Sequence, residues 1–496
     1  MRLVEWLTPE EAVARIPSEA VLATGGFVGC GHPEALTRAL GERFLREGKP
    51  ADLTLVYAAG QGDGCNRGLN HLAERGLLRR VVGGHWNLAP RLGALAAANE
   101  IEAWSFPQGV ISKMFRAAAS GDPGVLSRVG LGTFVDPRLG GGRMNASTKK
   151  DLVQTIEIDG ETLLFYRTLP VNAALIRATS SDSFGGLSFE HEANVGEALS
   201  IAQCAKRNGG IVIAQVERRV PDYSRDPKSV RVPGIFVDIV VIADPAEHAQ
   251  TFRDTFCKDY TRQGPLEDLK LPPLPPGPRR AIASRALAEV PDGAILNLGI
   301  GMPEALAQLA SERGCLDRFT LTLEVGLIGG VPAGGLSFGA SHYPHAVIDQ
   351  PYMFDFLDGG GLDVACLSMA ECDASGNVNV SRFGCRTPGP GGFINIAQST
   401  KKVVFVGTLT AGSGPQSTVR KFVQSVQQIT FSGDEARRKG QTILYITERA
   451  VFRLTEQGIE LTEVAPGLDV RQDVLAHMEF MPQMSPNVRI MDTCHF

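Results

Sequence analysis

Glu324 stands inside the stretch Leu-Thr-Leu-Glu-Val-Gly-Leu-Ile-Gly-Gly-Val-Pro-Ala-Gly-Gly-Leu-Ser-Phe-Gly-Ala-Ser, residues 321–341. A carboxylate with an ordinary pKa of roughly 4.3 is ionised at neutral pH, so it can attack a carbonyl carbon without a base to activate it. Gly326, Gly329, Gly330, Gly334 and Gly335 around it allow close backbone approach, and bare N–H groups there could meet an anion or a developing oxyanion. On this stretch alone, a solvated or ion-paired acid in an ordinary loop is the competing reading.

Other patterns carry less. Gly299-x-Gly301 has Glu304 where a dinucleotide fingerprint needs its third glycine, and an acid in a first helical turn opposes a pyrophosphate, so no NAD site is expected. Gly335-Leu336-Ser337-Phe338-Gly339 fits GxSxG but lacks a strand before it and a helix after it, and neither His477 nor His495 is marked as a base. It is read as a loop serving Glu324. Residues 389–392, Gly-Pro-Gly-Gly, suit a solvent loop or a site wall, and Arg382 and Arg386 beside them could meet phosphate. His342 with His345, or Cys366 with Cys372, come nearest to metal spacing but lack further ligands nearby, so no metal is expected.

The elements that must position these residues read as alternating strand and helix, the pattern of mainly parallel sheets covered by helices. Strands are expected at 20–23, 53–57, 81–82, 101–104 and 211–216, with helices at 9–16, from Pro33, at 92–99 and at 197–206. Asp159-Gly160 between two apolar runs signals a hairpin, hence an antiparallel insertion within 130–190. The run Leu-Pro-Pro-Leu-Pro-Pro-Gly-Pro at 271–278 divides the chain. Domains are expected at 1–270 and 281–496, joined by a linker at 271–280.

The second half repeats the start. After strand 294–298, residues 299–306, Gly-Ile-Gly-Met-Pro-Glu-Ala-Leu, match Gly-Cys-Gly-His-Pro-Glu-Ala-Leu at 29–36 in six of eight positions. Two α/β domains sharing one fold would leave a cleft between facing strand ends. Strands at 319–323 and 403–407 and a hairpin within 443–454 complete the second half.

A formal charge of −5 supplies no basic field for nucleic acid. Nine scattered cysteines without a CxxC pair suit free thiols in a reducing cytosol, and the N-terminal residues show no apolar signal core. The most apolar run, 235–243, is too short for a membrane span. A cytoplasmic protein without nucleic-acid or membrane partner is expected.

Gly25-Gly26-Phe27 with Gly31 and Pro33, and Gly299-Ile300-Gly301-Met302-Pro303, resemble the two glycine signatures of family I CoA-transferases. That family's acid signature, commonly Ser-Glu-Asn-Gly, stands here as Leu323-Glu324-Val325-Gly326, a departure shared with the propionate and acetate CoA-transferase subgroup. The likeness extends over 57–64, 107–110, 355–363 and 391–395 and covers nearly the whole chain.

The resemblance implies two homologous open α/β domains of the CoA-transferase fold and assembly as a homo-oligomer. It implies ping-pong transfer of CoA between a short-chain acyl-CoA and a free carboxylic acid, with coenzyme A as substrate and covalent intermediate. By it Glu324 is the nucleophile, Gly299, Ile300, Gly301, Met302, Pro303, Gly391 and Gly392 supply CoA contacts and oxyanion donors, and Gln108 and Asn297 lie beside the reacting groups. An acyl-CoA hydrolase using the same glutamate and a non-catalytic CoA-binding sensor are the alternatives.

Overall fold

The computed structural model describes residues 2–412 and 419–496. Eight parallel strands form the first sheet, in the order Glu5–Trp6, Ile239–Ile242, Ile211–Val216, Ala173–Arg177, Val21–Thr24, Leu53–Tyr57, Leu78–Gly83 and Glu102–Ser105. Side chains alternate across it: Leu55 and Tyr57 enter one apolar core and Val56 the other, as do Val81 and Val82, because successive residues of a strand face opposite ways. All five residues of Leu53–Tyr57 are buried, as in a parallel strand covered on both faces.

The second sheet has ten strands. At its centre Thr320–Leu323, Ile295–Leu298, Val364–Ser368, Lys402–Val406 and Thr442–Ile446 run parallel; antiparallel pairs continue the sheet on both sides, and at one edge Gly458–Val464 and Gln483–Ile490 pair in parallel. Here too Val403 and Phe405 enter one core, Val404 and Val406 the other.

Both halves follow one plan. The strand before each Pro-Glu-Ala-Leu segment, Val21–Thr24 or Ile295–Leu298, has the next long strand on one side and a much later one on the other. Each leads through glycines into a helix, Glu34–Glu47 or Glu304–Glu312. The chain therefore reverses its direction of winding beside these strands, which opens a crevice at their carboxyl ends.

Local signals hold with small shifts. Thr8 forms a capping box with Glu11 and Pro9 opens the helix, which stops at Val13 rather than 16. Val153–Ile158 and Glu161–Arg167 form the expected hairpin, completed by Gly124–Ser127 into an antiparallel three-stranded sheet. Helix Pro278–Leu287 begins inside the segment expected to be linker, because proline is accepted at a first helical position whose N–H would have no partner. Among the described residues no helix is long and apolar enough to cross a membrane.

Candidate active site

Glu324 follows strand Thr320–Leu323 directly and is 8% exposed. The turn behind it is closed by the Gly326 N–H donating to the Leu323 carbonyl at 3.0 Å. Gly326 has φ 115°, and a Cβ there would lie 1.9 Å from the Ile348 carbonyl oxygen, so the position requires glycine.

The carboxyl borders a cavity of about 200 Å³ between the halves. Carboxyl ends of strands from both sheets converge on it: Phe27, Val28, Gly60, His85 and Gln108 from the first, Asn297, Gly299, Ile300, Leu367 and Ser368 from the second. Residues 388–392 close one side and are stitched to the first half through backbone. Trp86 N–H donates to the Pro388 carbonyl (2.7 Å), Gly391 N–H to Gly84 (2.8 Å) and Gln108 N–H to Gly391 (2.9 Å). A Cβ on Gly392 would lie 3.2 Å from Glu324 Cγ and 3.4 Å from its Oε1, so this backbone rests against the carboxyl.

The structure thus brings together seven of the ten residues singled out: Glu324, Gln108, Asn297, Gly299, Ile300, Gly391 and Gly392. Gly301, Met302 and Pro303 lie outside the cavity wall. The Gly301 carbonyl accepts from Arg279, Met302 packs on the second half's core and Pro303 caps helix Glu304–Glu312, because the chain has already turned away from the crevice.

Polar partners fix several side chains. Gln108 Nε2 donates to Gln350 Oε1 at 3.2 Å. Asn297 Nδ2 donates to the Thr322 carbonyl at 3.0 Å, leaving its Oδ1 buried without a partner and free to accept from a ligand N–H. The cavity edge is tied by Ser368 Oγ donating to the Ile300 carbonyl at 2.9 Å.

Burial corrects the expectation of a fully ionised Glu324. Desolvation, opposed only by its own backbone N–H, pushes the carboxyl up to about 7. A carboxylate at this site is less hydrated than one in water and correspondingly more ready to attack.

Two cavity residues carried no distinguishing sequence signal, and a third comes from the segment read as a loop serving Glu324. His85 lies in a loop, and only tertiary packing brings it opposite residue 391. Val28 has φ 55°, uncommon for a β-branched residue, and is pinned by hydrogen bonds to Gly60 (2.7 Å) and from Gly62 (3.0 Å). Phe338 comes from the GxSxG segment and packs on Phe27 with ring centroids 5.5 Å apart. Ser337 of that segment bonds Thr251 and Asp254 rather than a histidine, so no hydrolase triad forms around it.

Of the pairs nearest to metal spacing, His342 lies beside Cys257 and Asp259 rather than His345, with ligand-type atoms within 4.8 Å of one another, and Asp259 is paired with Arg262 at 2.7 Å.

Known proteins resemble this chain over its whole length. The family model described as coenzyme A transferase matches residues 7–243. The acetate CoA-transferase YdiF of Escherichia coli K12 is 42% identical over 505 residues, covering 98% of this chain and 94% of the relative. The caffeate CoA-transferase of Acetobacterium woodii is 39% identical over 508 residues, covering 99% and 97%. A crystal structure of the acyl-CoA transferase YdiF from E. coli O157:H7, described as a thioester complex with CoA, superposes with a TM-score of 0.92 at 41% identity over 100% of this chain and 96% of that one. The chain belongs to the family I coenzyme A transferases, in their acetate and short-chain subgroup, and is a CoA-transferase.

Proposed function

We propose that this enzyme moves CoA between a short-chain acyl-CoA and a free carboxylate through covalent intermediates on Glu324. The observation that carries the reading is a desolvated carboxyl facing a cavity between the two halves, with the Gly392 backbone against it.

A Glu324 oxygen attacks the thioester carbon, and CoA leaves as thiolate with a mixed anhydride formed. The thiolate then attacks the glutamyl carbonyl carbon, giving glutamyl-CoA and releasing the first acid as carboxylate. A second carboxylate reverses the sequence. Thioester and anhydride are of similar reactivity, so no ATP, metal or NAD is required.

Each tetrahedral intermediate needs donors, for which the backbone at Gly392 and Gly299 and the Gln108 amide are the candidates; a lost donor costs ~3 to 4 kcal/mol. Gly391 shapes that wall. Asn297 accepts from a ligand N–H, and Ile300, half exposed at the cavity edge, contacts the CoA arm, with Gly301, Met302 and Pro303 holding its loop. Burial of Glu324, 8% exposed, limits the access of water to glutamyl-CoA.

The domains are taken as 1–270 and 281–496 about the proline-rich linker 271–280, and the enzyme as a cytoplasmic homo-oligomer acting without nucleic acid or membrane. The test is intact-protein mass after mixing with acetyl-CoA or propionyl-CoA, then borohydride reduction and peptide mapping. A CoA-sized adduct on the Glu324 peptide, absent in Glu324→Ala, is expected. Transfer retained by Glu324→Ala would overturn the reading, and CoA release that acceptor acids fail to accelerate would replace it with hydrolysis.

A further inference from the structure

Outside the cavity wall, the two halves meet again where the turn Lys258–Tyr260 packs on the hairpin of Val331–Pro332 with Ser341–His342. Tyr260 shares a small core with Ala333 and Ala340, and its ring stands edge-on to the His342 imidazole with centroids 4.8 Å apart. Here Cys257, Asp259 and His342 bring a thiol sulfur, a carboxylate oxygen and a ring nitrogen within 4.8 Å of one another. The CoA-transfer chemistry uses none of the three.

Their ligating atoms are uncommitted. His342 Nδ1 is buried without a hydrogen-bond partner, and Nε2 makes no hydrogen bond among the described residues, so whichever nitrogen faces the cluster has a lone pair to give. A buried polar atom left in that state is costly, and a ligand that supplies its partner removes the cost. Cys257 is a free, half-buried thiol. Arg262 holds Asp259 through one oxygen, Nε and Nη2 both donating to Oδ1 at 3.1 and 2.7 Å, which leaves Oδ2 outside that pair. An arginine so placed orients the carboxylate as outer partners of metal ligands do.

The backbone beneath these side chains is fixed. Cys257 N–H donates to Gln250 Oε1 at 2.7 Å, Tyr343 N–H donates to the Asp259 carbonyl at 2.8 Å, and His342 pairs with Val331 across its hairpin. Tetrahedral zinc holds its ligand atoms roughly 3.3 to 3.8 Å apart, so side-chain rotations on the order of 1 Å close the set. Thiolate with imidazole selects a borderline cation such as zinc over magnesium or calcium, which take oxygen ligands.

We propose that Cys257, Asp259 and His342 form a binding site for one zinc-class divalent ion, with water as fourth ligand, that clips the first half to the hairpin following Glu324. Binding releases the thiol proton to solvent and forms bonds to Sγ, an Asp259 oxygen and a His342 nitrogen, with nothing oxidised or reduced. The loop of that hairpin carries Phe338, which lines the catalytic cavity and packs on Phe27. The ion therefore acts on position and stability and takes no part in the transfer itself.

The full chain is stripped with a chelator, kept reduced with a phosphine and dialysed against zinc chloride or cobalt chloride. One equivalent of zinc per chain is expected, and cobalt should show thiolate charge transfer in the near ultraviolet with the intense visible bands of a four-coordinate site. Cys257→Ala and His342→Ala should each weaken zinc binding beyond the ~10- to 100-fold that loss of an outer partner costs, and Arg262→Gln should fall within that range. Removing the exposed thiols together, as Cys65→Ala, Cys385→Ala and Cys494→Ala, should leave stoichiometry and spectrum unchanged. Zinc should raise the melting temperature of wild type and not that of Cys257→Ala.

A further measurement needs no variant, and so stays decisive if one fails to fold: zinc should shield Cys257 of the wild type from iodoacetamide, read by peptide mapping, while Cys385 stays reactive. Wild type that takes up less than one equivalent of zinc, or whose Cys257 alkylates equally with zinc present, overturns the proposal. A cobalt spectrum without the thiolate band overturns it too, as does binding lost with the three exposed thiols, which would assign the metal to the surface.

Discussion

Gln108 of the first half donates to Gln350 of the second at 3.2 Å, while its own backbone N–H donates to Gly391 at 2.9 Å. One cavity residue is thereby held by two separate segments of the other half. Gln350→Leu removes the acceptor and leaves the Gln108 amide to find another orientation. We expect kcat/KM to fall by roughly tenfold, the scale of one displaced hydrogen bond, with little change in melting temperature. Steady-state kinetics beside a thermal melt check both parts.

Glu324 gives a signed pH dependence. Its pKa rises from an ordinary 4.5 to about 7 on folding, so the native state binds more protons than the unfolded one between those values. Stability contributed by this group is full below pH 4.5, declines as pH rises through that window and is lost above about 7. Glu324→Gln should therefore be more stable than wild type at pH 8 by on the order of 3 kcal/mol, and nearly equal to it at pH 4. Denaturant melts at the two pH values measure this.

The same shift governs reactivity. Attack requires the carboxylate, so kcat/KM for acyl-CoA should rise with pH to a plateau with an apparent pKa near 7 in the free enzyme. A profile flat from pH 5 to 8 would contradict it.

Gly392 has φ −80°, which alanine adopts without strain, but the added Cβ would press on Glu324 at 3.2 Å. Gly392→Ala should fold normally and lose activity by ~10- to 100-fold, the scale of a small misplacement of a reacting group. The glutamyl-CoA adduct should form more slowly in proportion, as timed mass spectra will report.

Gly109 begins the contact between helices Gln108–Ser120 and Gln350–Asp358. Its N–H donates to Asn395 Oδ1 at 3.1 Å, and a Cβ there would lie 2.3 Å from Phe354 Cδ1. Gly109→Ala should cost ~1 to 3 kcal/mol by overpacking and lower the melting temperature.

The nucleophile's role for Glu324 came from the family resemblance, whereas the glycines around it, the duplicated Gly-x-Gly-x-Pro-Glu-Ala-Leu segment and the alternation of strand and helix were legible in the chain itself. Each is a local property: backbone freedom, hydrophobic period and turn chemistry are set by a few neighbouring residues, so strand 53–57 and the hairpin about Asp159 emerge where expected. Three matters needed the tertiary structure. Burial raised the Glu324 pKa, since desolvation depends on atoms far away in sequence. The turn after Gly299 withdrew Gly301, Met302 and Pro303 from the cavity, a direction that spacing does not encode. His85 became a cavity residue only because the 388–392 segment bonds back to residues 84–86, across some three hundred residues of chain.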